Sequence, residues 1–312
     1  MKLRELQKLS SGITNTSDTQ AHIYNRLLSL GLDPNNFYQE LEMSSPLVDT
    51  HRDISYSNAF LHLHSHDFFE LLYCCNSCDA EYLVGADRYR LQQGDIVFIP
   101  PGVSHRPLLP EQLVSPYKRY VLWLSTEFMH QYASLFPYPF GKHHTQSSML
   151  RTGGTQWEHL GELFRKGVLE SEQQADGWEA AIIGNTITLL THIKRATNDR
   201  SARTLRAEKP ELLDQIMGFI EANYHTCITI GDLAKAFFVS SSTISHLFKQ
   251  KMGVSFYRYV TQRRLIAAKS LILEGVPLEA VSSQIGFSDY SSFYRAFKQE
   301  YGISPRQFRK MR

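Results

Sequence analysis

The chain has 312 residues, 42% hydrophobic and 21% charged, a balance that suggests neither a disordered polypeptide nor a membrane protein and leaves room for about two cored domains. Its net charge of +2 is unevenly spread: from Lys209 to Arg312 there are fourteen Lys and Arg against eight Asp and Glu, so the C-terminal part is the candidate for binding a polyanion. No apolar signal core follows Met1, and no run of about 18 apolar residues occurs, so the chain reads as cytoplasmic with no membrane contact.

Residues 1–54 read as an N-terminal arm, helical and polar at first, with Ile23, Leu27, Leu28 and Leu30 forming a short apolar stripe. From about residue 55 short β-rich runs follow one another: Phe68 to Cys75, Glu81 to Val84, Tyr89 to Leu91, Ile96 to Ile99 and Tyr120 to Leu124, separated by Gly, Pro, Asn and Asp. That spacing predicts a small all-β barrel or jelly roll. Cys74, Cys75, Cys78 and Cys227 make no disulfide framework, and Cys75-x-x-Cys78 has no second pair to complete a structural zinc site, so they read as reduced core thiols.

Two amphipathic helices come next, marked by Leu160, Leu163, Phe164 and Val168, then by Trp178, Ile182, Leu189, Leu190 and Ile193. They either cover the barrel or pair with a second subunit. The domain thus delimited, 55–195, is followed by a polar linker at 196–209 that ends at Pro210.

In the remaining segment, 210–312, the sequence repeats itself at an offset of 49 residues, Phe238 to Ser255 on Phe287 to Ser304, including Phe248-Lys-Gln-x-x-Gly-Val-Ser and Phe297-Lys-Gln-x-x-Gly-Ile-Ser. Each copy reads as helix, turn, helix: Ile230 to Phe237 with Ser241 to Lys251, and Leu278 to Ile285 with Tyr290 to Glu300. Ile244, Leu247 and Phe248, or Phe293, Ala296 and Phe297, occupy i, i+3, i+4 and should face a core. The opposite face carries Ser242, Ser245, His246 and Lys249 in the first copy. In the second it carries Ser291, Tyr294, Arg295 and Lys298, flanked by Tyr290 and Ser292. Small, polar and cationic side chains of this kind reach base edges and phosphates in a major groove. Phe256 to Leu273 reads as one connecting helix, about 27 Å long at roughly 1.5 Å per residue, with Arg258, Arg263, Arg264 and Lys269 as further phosphate contacts.

This all-α tandem helix-turn-helix pattern, with Gly286-Phe-Ser-Asp-Tyr-Ser-Ser-Phe-Tyr-Arg-Ala-Phe-Lys-Gln-Glu-Tyr-Gly-Ile-Ser-Pro ending it, resembles the AraC/XylS family of transcription regulators. The resemblance implies a sequence-specific regulator and not an enzyme, with promoter DNA, RNA polymerase, a small polar effector such as a sugar, and a second copy of the chain as partners. It implies that Ser242, Ser245, His246, Ser291, Tyr294 and Arg295 read bases.

Upstream, His64-Ser-His66-x-x-x-Glu70 with Gly94-x-x-x-x-x-Pro100-Pro-Gly102-x-x-His105 resembles the paired motifs of the cupin fold. In an extended strand His62, His64, His66 and Glu70 would share a face. With His105 they form a donor set that zinc, iron, manganese or nickel would accept, and a metal-dependent cupin enzyme with a DNA-binding appendage is the alternative function. The regulators it resembles favour instead no metal or cofactor and an effector contacted by His64, His66, Glu70, His105, Tyr82, Arg88 and Trp123, with Arg90 and Arg119 as further polar groups.

Overall fold

The structure, a computed structural model, describes residues 43, 45–56, 63–85, 87–110, 113–132, 148–199, 201, 203–205 and 212–310. The helical arm expected before residue 43, and His62, lie outside these residues. The described chain divides into two compact units, Met43–Asp214 and Gln215–Arg312. The first is built around β-sheets and the second is helical.

Among the described residues the first unit contains nine strands: β1 (Val48–Ser55), β2 (Phe69–Cys74), β3 (Glu81–Val84), β4 (Asp87–Arg90), β5 (Asp95–Ile99), β6 (His105–Leu108), β7 (Tyr117–Leu124), β8 (Ser148–Arg151) and β9 (Arg203–Leu205). They form a six-stranded sheet in the order β1-β7-β2-β5-β8-β9 and a three-stranded sheet in the order β4-β3-β6. Every pairing is antiparallel. β1 lies in the stretch assigned to the N-terminal arm, yet it pairs along its whole length with β7, so the β-rich part begins at Val48. Likewise β9 falls in the expected linker and pairs with β8.

After β7 comes the short helix α1 (Thr126–Gln131), capped by the Ser125 hydroxyl, which accepts from the Phe128 amide. Two longer helices, α2 (Leu160–Gln173) and α3 (Trp178–Thr197), complete the unit. Their apolar stripes bury Leu160, Phe164, Ile182, Leu189, Leu190 and Ile193 in one core with Phe69, Leu71 and Tyr73 of β2 and Leu122 and Leu124 of β7. The stripes therefore cover the sheet of their own chain.

The second unit consists of α4 (Leu212–Asn223), α5 (Ile230–Ala236), α6 (Ser241–Leu247) with a π-turn at Phe248–Met252, α7 (Phe256–Leu273), α8 (Leu278–Gln284), α9 (Tyr290–Tyr301) and α10 (Pro305–Lys310). Matching caps show the repeat at work. Ser240 accepts from the Thr243 amide to open α6, and Asp289 accepts from the Ser292 amide to open α9. Gly253 and Gly302 end the two copies, and Ser255 and Ser304 open the helices that follow.

The offset of 49 does not extend through the turns. α5 is capped at its C-terminus by Phe237 and α8 by Ile285, an offset of 48, and the next residue in each copy is left-handed: Phe238 with φ 55° and Gly286 with φ 83°. Val239 then donates to the Ala234 carbonyl as Phe287 does to that of Ser282. Phe238 thus corresponds to Gly286 and not to Phe287. The second turn is one residue longer.

Candidate nucleic-acid interface and buried polar site

Both copies bury the expected apolar face of their second helix. Ile244 and Phe248, and Phe293 and Phe297, are fully enclosed, whereas Leu247 and Ala296 are half-buried. Phe248 meets Phe256 and Tyr259 edge-on at 5.6 and 5.4 Å; Phe297 meets Tyr301 and Phe308 at 4.6 and 5.7 Å. The opposite face is open: Ser242, Ser245, His246, Lys249, Ser291, Arg295 and Lys298 are exposed, and Tyr290, Ser292 and Tyr294 are half-buried.

Two of these hydroxyls are engaged within the helices. Ser242 shares a hydrogen bond with Ser240 at 2.7 Å, and Ser292 donates to Asp289 at 2.8 Å. Arg295 lies along its own helix, donating to the Ser292 hydroxyl at 3.4 Å.

The cations of α7 require a correction. Arg258 pairs with Glu300 at 2.8 Å, and Arg263 pairs with Glu221 and lies over the Tyr224 ring. Arg264 donates to the carbonyls of Tyr224 and Thr226, at 2.8 and 2.7 Å. Lys269 is buried against Tyr301 and Phe308. All four are thus tied into their own unit.

In the first unit the motif histidines converge, with His105 on β6 but His64 and His66 outside any strand. Only an isolated bridge joins His64 to His105, and β2 begins at Phe69, so the chain from Ser65 to Phe68 is irregular. Glu70 nevertheless collects the groups around it. Its Oε1 accepts from Trp123 Nε1 at 2.9 Å, while His66 Nε2 and His105 Nε2 stand 3.1 and 3.0 Å from its Oε2. The His105 contact is misaligned for hydrogen bonding, and this buried nitrogen has no hydrogen-bond partner among the described residues. Phe68 stacks on His66 at 3.9 Å and packs at 4.7 Å on Trp123.

Burial alone would raise the Glu70 carboxyl, but the imidazoles of His105 and His66 hold it well below the usual carboxylate range. Burial lowers His66, with partial compensation from Glu70. Tyr82, 6.3 Å from His105 by ring centres, is raised well above the ordinary phenol value by burial.

Arg88 does not join this cluster. Tyr82 stands opposite Tyr89, and Val84 opposite His105, whereas Leu83 stands opposite Arg88. Alternation along a strand therefore puts Arg88 on the other face, where it pairs with Glu81 at 3.2 Å. Arg90 is exposed and pairs with Asp79. Arg119 is buried and bonded to Asp53 and Ser55 at 2.7 and 2.9 Å, with its guanidinium 4.9 Å from the Tyr117 ring centre.

Tyr117 was not among the expected residues. Its hydroxyl is buried with no partner among the described residues. The signal was present: Tyr117, Arg119, Val121 and Trp123 share one parity of β7, and two of them had already been singled out. The thiols divide otherwise than expected. All four are free, but Cys227 is exposed, so only Cys74, Cys75 and Cys78 are core thiols.

Residues 233–311 match the family model described as a helix-turn-helix domain. Over 140 residues the chain is 34% identical to a probable transcriptional regulator, LumQ, of Photobacterium leiognathi, a match covering 44% of this chain and 54% of that protein. The chain thus spans about half the length of that relative. It is 25% identical over 225 residues to the arabinose operon regulatory protein of Salmonella typhimurium, covering 72% of this chain and 77% of the relative. It is 24% identical over 257 residues to the HTH-type transcriptional activator RhaS of Salmonella dublin, covering 80% and 87%. The C-terminal unit is accordingly a helix-turn-helix DNA-binding domain. Its type is that of AraC, and the chain is similar to regulators of the AraC/XylS family. Among the described residues no helix is long and apolar enough to cross a membrane.

Proposed function

We propose that the protein is a cytoplasmic transcription regulator that places α6 and α9 in successive major grooves of promoter DNA. The observation that carries this reading is the duplicated face: two helices with the same caps and the same buried positions, each exposing hydroxyls, an aromatic or imidazole ring and a cation. The connecting helix α7, about 27 Å long at roughly 1.5 Å per residue, suits grooves about 34 Å apart on one face of the duplex. In this reading both pairs are helix-turn-helix units. Ser242, Ser245, His246, Ser291, Tyr294 and Arg295 read bases, and Lys249 and Lys298 hold phosphates.

The two-sheet unit is a cupin-type sensor. A small polar effector, such as a sugar, contacts Glu70, His64, His66, His105, Tyr82 and Trp123, and changes the affinity of a homodimer for DNA and its engagement of RNA polymerase. The arabinose regulator among the relatives supports a sugar. Sensing requires different effector affinities in two states, so effector and DNA must each alter the binding of the other.

The test is selection of random duplexes on the full chain, followed by binding of the enriched duplex at several salt concentrations. A motif of two blocks about 10 base pairs apart is expected. The Arg295→Ala variant is expected to lose about 1–3 kcal/mol at one base position only. A chain that enriches no sequence would overturn the reading.

A further inference from the structure

The two exposed helix faces share their cap geometry but not their reach. At the offset of 49, Ser245, His246 and Lys251 of the first copy stand where the second has Tyr294, Arg295 and Glu300. In the first copy the hydroxyls serve one another. Ser240 lies 2.7 Å from Ser242 and 2.8 Å from Thr243, oxygen to oxygen, so the cap draws in two of the groups that could meet a base. Ser245 and His246 are left exposed. A hydroxyl bonds to any base pair, and an imidazole offers a base one nitrogen at a time, so neither side chain presents the two-pronged edge that singles out one base.

The second copy is braced. The Ser292 hydroxyl donates to the Asp289 carboxylate at 2.8 Å and accepts from Arg295 Nη2 at 3.4 Å, while the Ser292 amide holds Asp289 at 2.7 Å. The guanidinium therefore sits at the end of a short relay before any DNA arrives. Tyr294 packs against Tyr290, with ring centres 6.2 Å apart, and Tyr290 against buried Phe293 at 5.9 Å. A side chain ordered in advance loses less freedom on binding, so more of its contact appears as discrimination.

Charge is divided in the opposite sense. From Ser240 to Met252 the charged residues are Lys249 and Lys251, both exposed. From Asp289 to Tyr301, Arg295 and Lys298 are balanced by Asp289 and Glu300, and Glu300 is tied to Arg258 and Gln262 at 2.8 and 2.9 Å. Attraction to phosphate carries no sequence information.

We propose that the two helices divide the work. α9 supplies most of the base discrimination, through Arg295 and Tyr294, with Ser292 and Asp289 as positioning residues for the guanidinium. α6 and its π-turn supply a sequence-tolerant grip through Lys249 and Lys251. The operator accordingly has one demanding block and one permissive block. This inference rests on the reading of α6 and α9 as groove-entering helices.

The duplex enriched on the full chain is rebuilt with each base pair changed in turn, and every version is titrated. In the block where Arg295→Ala removes a preference, the worst single change should weaken wild-type binding about 5- to 150-fold, and in the other block no change should exceed about 5-fold. Ser292→Ala should shrink the penalty at the Arg295 position and leave affinity for random duplex unaltered; Ser292→Thr, which keeps the hydroxyl, should restore it. If Ser292→Ala loses the wild-type circular dichroism, Arg295→Lys replaces it, keeping the charge but not the fork, and should shrink the same penalty. Lys251→Gln should weaken binding to enriched and random duplex by the same factor. Two equally demanding blocks overturn the proposal and leave groove binding intact. So does a demanding position that is lost in His246→Ala and kept in Arg295→Ala. A chain that enriches no duplex fails the DNA reading itself, and this inference with it.

Discussion

The two left-handed turn residues should respond to substitution with opposite signs. A Cβ on Gly286 would stand 2.8 Å from the backbone carbon and oxygen of His225 and 2.9 Å from the Tyr224 carbonyl, so neither the turn nor the loop after α4 can accept it without moving. Gly286→Ala therefore incurs about 1–2 kcal/mol for an L-residue in the left-handed region and about 1–3 kcal/mol for overpacking. Loss of unfolded-state freedom offsets about 0.4–1 kcal/mol, leaving a net destabilisation of about 1–4.5 kcal/mol. Phe238 occupies the equivalent position, 95% exposed, so its ring contributes almost no burial to offset the same backbone strain. Phe238→Gly removes about 1–2 kcal/mol of strain and costs about 0.5–1 kcal/mol in chain entropy, a net gain of up to about 1.5 kcal/mol. Amide hydrogen exchange by mass spectrometry on the full chain reads each turn locally. Protection across α8 and α9 should fall in Gly286→Ala, and protection across α5 and α6 should rise in Phe238→Gly. Unchanged protection in the first variant, or a loss in the second, would refute the structural equivalence of the two turns.

Lys249→Gln and Lys298→Gln should each flatten the plot of log affinity against log salt by about 0.9 while leaving base preference intact, whereas Arg264→Gln should leave the slope unchanged and lower the melting temperature. The reverse pattern would mean that α7, and not the helices before and after it, holds the phosphates. Burial raises Cys74 and Cys78 and pushes Cys75 up to about 11, so exposed Cys227 should account for the first equivalent of alkylation at neutral pH; mass mapping that finds the other three equally fast would contradict the packing. The Ser292 amide, and then the hydroxyls of Ser292 and Ser288, hold Asp289 below the ordinary value of 3.8. A depressed folded value means this cap is complete above that pH and is lost as pH falls through the lower one. The Ser292 amide resonance should shift over that acid range in the wild type and stay level in Asp289→Asn.

The elements legible in the sequence were those with a clean period. α7 runs over the expected residues, and the buried faces of α6 and α9 were written at i, i+3, i+4. The strands that escaped notice lack such a period. β1 buries Val48, Thr50 and Ser55, two of them polar, and β6 carries Pro107, which demotes a strand in any pattern reading. The repeat misled at one point, because Phe238 and Phe287 are the same residue type and the longer second turn hides that they are not equivalent. The buried site was legible as a set of residue types but not as geometry. Nothing in His64-Ser-His66 says that the chain there leaves the strand and turns both Nδ1 atoms of His66 and His105 onto carbonyls.

Charge shows most plainly why residue type underdetermines role. The C-terminal segment is basic, and four of its fourteen cations sit on α7, where a helical wheel leaves them available to DNA. The structure assigns them elsewhere: two to carboxylates on α4 and α9, one to the carbonyls left open after α4, one to aromatic rings. These contacts hold α7 at fixed angles to its neighbours, so cations that seemed to bind phosphate instead set the positions of α6 and α9. Their removal should disturb α6 and α9 together, whereas removal of Arg295, exposed on α9, should leave that packing intact. If Arg295 reads a base as proposed, sequence choice and the rigidity behind it are carried by different basic residues of one domain.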